Sequence, residues 1–394
     1  MKPRVLFYVQ HLLGIGHMVR GARIARALVR CGFHVDLVLG GVPIEGLDVG
    51  GASIVQLPPV KATVGFSKLL DPNGEALCEV DKAKRRDQLL GAFAATQPDI
   101  VLIEAFPFAR RQMDFELLPL LECARAASRR PLVAVSIRDI LQRNRKRGRS
   151  EQAVEIVERH VDLVLVHGDP SLVRLSETFP LADRFAARTA YTGMIGPQPD
   201  GLAPVSEHDV IVSAGGGAVG GALLHAALAA RPRTELTDAR WLVVTGPNMQ
   251  ADAEAAARRL AGERVSFARF VPDLPQRLRG AALSISQAGY NTVADVLAAG
   301  CRSILVPFAA EGETEQTDRA RLMQARGRAI MVAESSLDAD RLVEAIARVR
   351  MLPQPQTDID LGGAAATAAL LMDKVGARAP SPVRGRRCPA EPDG

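Results

Sequence analysis

Short apolar runs alternate with longer amphipathic stretches along almost the whole chain. Several runs are near-continuous Val, Ile and Leu, which is typical of parallel strands buried on both faces. This alternation predicts βαβ units and doubly wound parallel sheets, an α/β fold. The predicted strands are residues 4–10, 34–40, 53–57, 99–106, 131–137 and 162–168, then 209–216, 240–246, 265–270, 283–286, 302–308 and 329–333. The predicted helices are residues 19–30, 82–96, 253–261, 291–299 and 316–325.

The two series of strands predict two domains, each built on one sheet. Residues 1–194 form the predicted N-terminal domain, and residues 207–376 form the predicted C-terminal domain. The segment 193–206 is rich in Gly and Pro and lacks periodicity, as expected of a linker. Residues 377–394 are rich in Pro, Gly and Arg, and we expect this tail to be disordered.

Composition and charge narrow the classes of function. The formal charge of +5 over 394 residues is a mild excess, compatible with an anionic ligand but too dispersed to indicate nucleic acid. The five cysteines have neither C-x-x-C nor zinc-ligand spacing, which favours reduced thiols. The N-terminal apolar run is too short for a signal peptide, and no uncharged apolar stretch is long enough to span a membrane. We therefore expect a cytoplasmic protein.

Each predicted domain opens with a strand, a glycine turn and a helix. Glycines allow a tight turn, and a helix N-terminus offers free N–H groups and a partial positive charge to an anion. A dinucleotide site would require G-x-G-x-x-G and an acidic residue at the end of the second strand. That strand ends in Gly40-Gly41 instead, which disfavours a nicotinamide or flavin cofactor. The candidate ligand-binding residues are Gly14 and Gly16 in the first turn, and Ser213, Gly215 and Gly216 in the second.

A third glycine turn follows the predicted strand 283–286. In a doubly wound fold, the carboxyl ends of these strands face one ligand crevice. The amides at the start of the following helix suit a diphosphate, and Asp295 on its first turn suits two ribose hydroxyls. Glu315 and Gln316, in the loop after the next strand, suit sugar hydroxyls. The alternative is a plain turn in which Asp295 only compensates the helix dipole. The remaining candidates in this turn are Gln287, Gly289, Tyr290, Asn291 and Thr292.

The segment SQAGYNTVADVLAAGCRSILVPF, with Glu315-Gln316 after it, resembles the C-terminal domain of family 28 glycosyltransferases. GIGHMVRGARIARALVRCGFHV is similar to that family's opening segment. The resemblance implies a GT-B fold, a UDP-sugar donor held mainly by the C-terminal domain, inverting transfer, and no obligatory metal or cofactor. The type member transfers N-acetylglucosamine to a lipid-linked muropeptide, whereas the whole chain is closer to a bacterial group of predicted glycosyltransferases.

The resemblance also implies roles for individual residues. Asp295 matches the ribose-binding acid, and Glu315-Gln316 match a polar pair that reaches the donor sugar. The 289–292 turn matches the diphosphate site, and Phe270-Val271 match the segment that contacts the base. His17 matches a histidine near the reacting centre. Gly14-Ile-Gly16 has fewer glycines than the family pattern, and the inter-domain segment lacks the arginine of the type member.

His17 and Glu104 are the candidate catalytic residues. His17 stands at a helix start and has a near-neutral unperturbed pKa, so it could act as a base, as a neutral donor to phosphate, or only as a helix cap. Glu104 ends a predicted strand on the crevice side, where it could assist the base, hold the acceptor, or pair with Arg110 or Arg111. His167, at another strand end, is a second candidate base for which a structural role is the alternative.

Two further motifs consist of charged residues, namely an acidic D-x-D pattern and a basic loop. Asp358-Ile-Asp360 has the D-x-D pattern of some metal sites, but it lies in a loop far from any predicted strand end, so we expect no metal. A dense basic loop is either a solvated surface or a peripheral contact with anionic lipid headgroups at the inner face of the cytoplasmic membrane. Its basic residues are Arg143, Arg145, Lys146, Arg147 and Arg149.

The sequence therefore predicts transfer of a hexose or N-acetylhexosamine from a UDP-sugar to a carbohydrate or lipid-linked acceptor. A UDP-sugar hydrolase of the same fold and a non-catalytic partner that binds nucleotide sugar remain alternatives. His17 would serve transfer and hydrolysis equally, since water can replace the acceptor hydroxyl.

Overall fold

A computed structural model describes residues 2–12, 14–63, 68–142, 148–197, 203–216, 219–309, 312–353 and 358–378. Within these residues the chain forms two α/β units, each with a parallel sheet covered by helices on both faces, so the predicted fold class is confirmed. Residues 377 and 378 of the predicted disordered tail belong instead to the last helix, and residues 379–394 lie outside the described residues.

The N-terminal unit contains a seven-stranded parallel sheet with the order β3-β2-β1-β6-β7-β8-β9. The order reverses between β1 and β6, which places a ligand crevice at the carboxyl ends of these two strands. A small antiparallel hairpin, β4-β5, lies beside it. The strands are β1 (Arg4–Val9), β2 (His34–Leu39), β3 (Ser53–Gln56), β4 (Lys61–Ala62), β5 (Leu69–Leu70), β6 (Ile100–Glu104), β7 (Leu132–Arg138), β8 (Leu163–His167) and β9 (Thr189–Tyr191). The helices are α1 (Gly16–Arg30), α2 (Glu79–Thr96), α3 (Asp114–Ala126), α4 (Arg149–His160) and α5 (Leu175–Thr178).

The C-terminal unit repeats this topology with six parallel strands in the order β12-β11-β10-β13-β14-β15. Its order reverses between β10 and β13, the strands that precede the second and third glycine turns. The strands are β10 (Val210–Ser213), β11 (Trp241–Val244), β12 (Val265–Ala268), β13 (Leu283–Gln287), β14 (Ser303–Val306) and β15 (Ile330–Met331). The helices are α6 (Gly221–Ala230), α7 (Ala251–Leu260), α8 (Leu274–Gly280), α9 (Tyr290–Ala299), α10 (Glu315–Ala325), α11 (Ala339–Arg350) and α12 (Gly363–Arg378).

The last helix crosses back to the N-terminal unit. Leu371 of α12 shares a buried apolar cluster with Leu28 of α1 and Val293 of α9. The segment that leads into α12 is hydrogen-bonded to the linker, where Met194 N–H donates to Asp360 O at 2.7 Å. One apolar core therefore connects both units, and α12 stabilises their relative position.

Candidate active site

The first glycine turn brings His17 to the crevice between the two sheets. β1 ends at Val9, α1 begins at Gly16, and His17 is the second helical residue, with only 9% of its surface exposed. The side-chain amide of Asn291, at the start of α9, donates to Gly16 O at 2.8 Å. The first and third glycine turns, from different units, therefore face each other directly.

The second glycine turn lies against the same place. A Cβ atom added to Gly216 would be 2.8 Å from Cγ1 of Ile15, so the first and second turns touch in this structure. Gly215 has a φ of +68°, which favours glycine, and its N–H donates to Ser213 Oγ at 3.3 Å. A Cβ on Gly215 would be 3.3 Å from Oε1 of Gln287. The predicted residues of the three turns thus form one cluster.

His17 and Glu104 form a buried hydrogen-bonded pair. Nδ1 of His17 lies 2.9 Å from Oε1 of Glu104, the last residue of β6, which is fully buried. Ala105 follows with a φ of +68°, rare for a residue with a side chain, and turns the backbone away directly after the carboxylate. The guanidinium of Arg20, one turn after His17, contacts the same Glu104 oxygen.

The charges of this cluster fix its protonation. Burial alone would raise the pKa of Glu104, but the positive charge of Arg20 and the hydrogen bond from His17 outweigh burial and hold this pKa far below its usual range. Burial, followed by the positive charge of Arg110, lowers the pKa of His17 well below 6.5. At neutral pH the pair is therefore a carboxylate and a neutral imidazole.

The tautomer of His17 follows from its partner. A carboxylate can only accept hydrogen bonds, so the 2.9 Å contact with Glu104 favours the imidazole proton on Nδ1, and the longer 3.3 Å approach of Arg20 Nη2 to the same nitrogen is then not a hydrogen bond. Nε2 then carries a lone pair and can take up a proton. If it does, the anionic Glu104 stabilises the imidazolium that forms.

Asp295 is engaged by the N-terminal unit. Its Oδ1 accepts a hydrogen bond from Nη2 of Arg23, on α1, at 2.6 Å, and Nη1 of Arg23 also donates to Ile195 O at 3.1 Å. Burial raises the pKa of Asp295, and Arg23 opposes that rise. The predicted ribose-binding acid thus forms an ion pair between the two units.

Glu315 and Gln316 have separate partners. Glu315 contacts Arg138 at the end of β7 and lies 2.8 Å from Nη2 of Arg319, whereas Gln316 Oε1 accepts from Phe308 N–H at 3.1 Å. Arg319 is fully buried and also pairs with Asp139, 2.6 Å away in the N-terminal unit. Two further ion pairs therefore connect the units beside the glycine turns.

Phe270 and Val271 lie in a different part of the crevice. They follow β12, which is an edge strand separated from β13 by β11 and β10. Phe270 is 42% exposed, while Val271 packs partly buried against a small apolar cluster. The structure thus leaves Phe270 accessible, as a segment that contacts a base would need to be.

Tyr290 occupies the space between the units. Its hydroxyl accepts from Ile195 N–H at 2.7 Å and donates to His167 O at 2.9 Å. The guanidinium carbons of Arg20 and Arg319 lie 5.2 and 5.4 Å from its ring centroid, within the range of cation–π attraction. The side chain of this predicted donor-site residue therefore contacts the N-terminal unit, while its backbone starts α9.

Sequence reasoning overlooked several residues of the cluster. Arg20, Arg23, Ser136, Asp139 and Arg319 are absent from the sequence predictions, although Arg20 lies one helical turn after His17 and Arg23 one turn after Arg20. That spacing was the only available signal for them. Ser136 and Asp139 lie near the end of β7, and only the strand order shows that β7 neighbours β6.

The D-x-D pattern and the basic loop lie away from the glycine turns in sequence. Asp358 pairs with Arg328, and Asp360 accepts a hydrogen bond from Gly362 N–H. In the described ranges, no group of three His, Cys, Asp or Glu could hold a metal ion. Arg149 is half-buried at the start of α4, while residues 143–147 lie outside the described part of the chain. None of the described helices has both the length and the apolar character to cross a membrane.

The architecture is that of the GT-B glycosyltransferases. The structure is similar to the calicheamicin glycosyltransferase CalG4, with a TM-score of 0.62, 17% identity, and coverage of 96% of this chain and 100% of that one. It is also similar to MurG of Acinetobacter baumannii, with a TM-score of 0.60, 16% identity, and coverage of 94% and 100%. At these identities the likeness establishes the fold alone.

Residues 210–368 match the model of the glycosyltransferase family 28 C-terminal domain. Two curated relatives are named UDP-N-acetylglucosamine–N-acetylmuramyl-(pentapeptide) pyrophosphoryl-undecaprenol N-acetylglucosamine transferase. The protein from Azoarcus sp. strain BH72 is 34% identical over 36% of this chain and 39% of its own length. The protein from Herminiimonas arsenicoxydans is 31% identical over 46% of each. The chain thus aligns with less than half the length of these relatives.

Proposed function

We propose that the protein transfers a hexose or N-acetylhexosamine from a UDP-sugar to a hydroxyl of a carbohydrate or lipid-linked acceptor, with inversion at the anomeric carbon. The observation that carries the proposal is the pair of His17 and Glu104 in the crevice. It presents a neutral imidazole with its proton on Nδ1 and its Nε2 lone pair available. A general base must be unprotonated and have a free lone pair, and this imidazole meets both conditions, although the burial and the positive charges that keep it neutral also weaken it as a base.

In the proposed reaction, Nε2 of His17 removes the proton of the acceptor hydroxyl as its oxygen attacks the anomeric carbon. The bond between that carbon and the β-phosphate oxygen breaks, and UDP leaves with the bonding electrons. Glu104 acts as a positioning residue, since it orients the imidazole and stabilises its positive charge. The amides at the start of α9 would stabilise the charge that develops on the diphosphate.

The donor would lie between the glycine turns of the two units. Ser213, Gly215, Gly216 and Gln287 line the C-terminal side at the ends of β10 and β13, and the turn containing Gly14 and Gly16 lies opposite. Because a side chain at Gly216 would already meet Ile15, little room is left between these turns, and we expect them to separate when a nucleotide enters. The ion pairs of Arg23 with Asp295 and of Arg138 with Glu315 would then exchange their partners for ribose and sugar hydroxyls.

The names of the relatives support the substrate classes. They name a UDP-sugar donor and a lipid-linked acceptor, and the family 28 domain covers the unit assigned to the donor.

A lipid-linked acceptor implies peripheral contact with the inner face of the cytoplasmic membrane, for which the run of basic residues that ends at Arg149 is our candidate. Sedimentation with anionic vesicles, compared with neutral ones at low and high salt, tests this contact. Equal binding to both vesicle types would reject it.

The activity is tested by UDP release from a panel of UDP-sugars, with and without crude lipid and glycan extracts as acceptors. We expect release that depends on both one donor and one acceptor fraction, and that is lost in His17→Ala. Free sugar formed in equal amount to UDP without acceptor would identify a hydrolase instead. UDP binding without turnover on any acceptor would identify a non-catalytic binding protein.

A further inference from the structure

A chain of buried hydrogen bonds continues from Glu104 into the N-terminal sheet. Ser136 Oγ lies 2.6 Å from Glu104 Oε2, the oxygen that does not face His17. Ser136 Oγ also lies 2.8 Å from Nε2 of His167, whose Nδ1 lies 2.8 Å from Oγ1 of Thr192. All four residues are at most 3% exposed.

Strand order explains why these residues meet. Glu104 and Ser136 are register partners on β6 and β7, His167 ends β8, and Thr192 directly follows β9. The hydrogen-bonded residues therefore come from the carboxyl ends of four neighbouring parallel strands. Side chains at such ends face the ligand crevice of a doubly wound sheet.

The direction of every hydrogen bond in this chain is determined. Glu104 is ionised and can only accept, so Ser136 must donate its single hydroxyl proton to Oε2. Ser136 then needs a donor, which is the Nε2–H of His167. Nδ1 of His167 consequently accepts from the Thr192 hydroxyl. Burial lowers the pKa of His167 to about 3, which agrees with a neutral ring that carries one proton.

Reversing these hydrogen bonds would leave no hydrogen between Ser136 Oγ and Glu104 Oε2. If Nδ1 of His167 carried the proton, Nε2 would accept from Ser136, whose proton would no longer face Glu104. Two lone pairs would then oppose each other across the 2.6 Å between Ser136 Oγ and Glu104 Oε2. Such an arrangement is strongly unfavourable in a buried site.

We propose that Ser136 and His167 are positioning residues for the reaction, because they orient the Glu104 carboxylate so that Oε1 accepts the hydrogen bond from Nδ1–H of His17. This inference rests on the proposed function of His17 as the base. Neither residue touches substrate; both act through Glu104. Tyr290 adds a connection to the C-terminal unit, since its hydroxyl donates to the backbone oxygen of His167.

The first test is a mutant cycle measured by UDP release with the active donor and acceptor. Ser136→Ala should lower kcat about tenfold or more with little change in KM, as expected when a hydrogen bond to a charged group is lost. In a His17→Ala background the same substitution should change kcat less than about twofold. Equal losses in both backgrounds would show a merely structural effect and overturn the proposal.

Matched variants separate positioning from packing. Ser284→Ala removes another buried strand hydroxyl, bonded to Ser286 Oγ at 2.7 Å, and should leave kcat unchanged. His167→Gln keeps an N–H donor for Ser136 and should retain more activity than His167→Leu. If His167→Leu does not fold, Ser136→Ala and His167→Gln still decide the matter. Wild-type kcat in Ser136→Ala would contradict the assignment.

A second measurement needs no substrate and so separates this inference from the proposed function. NMR of 15N-labelled histidine should show His17 only as the Nδ1–H tautomer in the wild type. In Ser136→Ala, a fraction with the proton on Nε2 should become detectable. An unchanged single tautomer in that variant would overturn the positioning role, whereas absence of UDP release by the wild type would overturn only the proposed function.

Discussion

Nδ1 of His17 lies 2.9 Å from Oε1 of Glu104, although 87 residues separate them in the chain. The contact exists because α1 starts beyond the carboxyl end of β1, and β1 pairs directly with β6, which ends at Glu104. The switch in strand order thus places a potential base beside a carboxylate that is already neutralised by Arg20.

His17→Ala should lower kcat by about 10²–10⁴, the usual contribution of a positioned proton acceptor. UDP affinity should hardly change, because the nucleotide is assigned to the C-terminal unit. His17→Asn is the informative partner, since it can still donate to Glu104 but lacks a proton acceptor at the position of Nε2. We expect it to be as slow as the alanine variant in initial-rate assays. A near-normal rate for His17→Asn would mean that His17 is a hydrogen-bond donor to phosphate and that another residue is the base.

Glu104→Gln should lower both kcat and stability. The amide cannot stabilise an imidazolium, and Arg20 is left buried without its counter-charge, which costs about 3–5 kcal/mol in other buried pairs. The matched control is Glu116→Gln, which breaks the fully buried pair with Arg85 in the same unit. Urea unfolding should show a loss in both variants, but kcat of the folded fraction should fall only for Glu104→Gln. A similar drop in kcat for both would reduce the role of Glu104 to stability.

Asp295→Asn should weaken UDP binding about tenfold or more, as expected when ribose hydroxyls lose a charged acceptor. Asp295 also pairs with Arg23, so both Asp295→Asn and Arg23→Gln should lower the melting temperature. In calorimetry, only Asp295→Asn should raise the Kd for UDP, because Arg23→Gln leaves the Asp295 carboxylate available to the ribose. If the two variants change Kd and melting temperature alike, Asp295 is an interdomain ion-pair residue and not a ribose ligand.

Acid should destabilise the protein below pH 6.5. The pKa of His167 falls to about 3 and that of His11 to about 4 on folding, in each case mainly through burial. Below pH 6.5 the unfolded chain therefore binds protons that the native state does not, and stability falls with pH. At pH 5 each such histidine should cost about 2 kcal/mol relative to pH 7. Between pH 7 and pH 5, the free energy of unfolding measured in urea should fall by about 2 kcal/mol less for His167→Gln than for the wild type. His225→Gln, at an exposed position, should lose as much as the wild type. An unchanged pH dependence would contradict the burial argument.

Turnover should persist in EDTA. The predicted leaving-group stabilisation comes from the amides at the start of α9, and the acidic pair Asp358 and Asp360 is occupied by Arg328 and a backbone N–H. Initial rates before and after chelation, with Mg²⁺ or Mn²⁺ added back, check this expectation. Complete loss in EDTA that either ion restores would show that the reaction needs a metal.

The sequence determined the class of fold and several positions in the site. Buried parallel strands leave continuous apolar runs, and glycine turns are local signals, so the two sheets and the three turns were predictable. Helices α3, α4, α5, α6, α8, α11 and α12 have no counterpart among the predicted helices. The turn positions of His17 and Asn291 followed from the same signals, because a residue at a strand-to-helix turn must lie at the crevice of such a sheet.

Only the tertiary structure decided which of these residues meet. Strand order brings Glu104 to Ser136 and His167, and no local pattern encodes which strands are neighbours. The pair of Arg23 and Asp295 joins residues 272 positions apart and depends on how one unit docks on the other. Buried charges need a partner, and the identity of that partner is fixed only when burial and docking occur together. For that reason the sequence located the crevice, whereas the protonation and direction of its hydrogen bonds came from the fold.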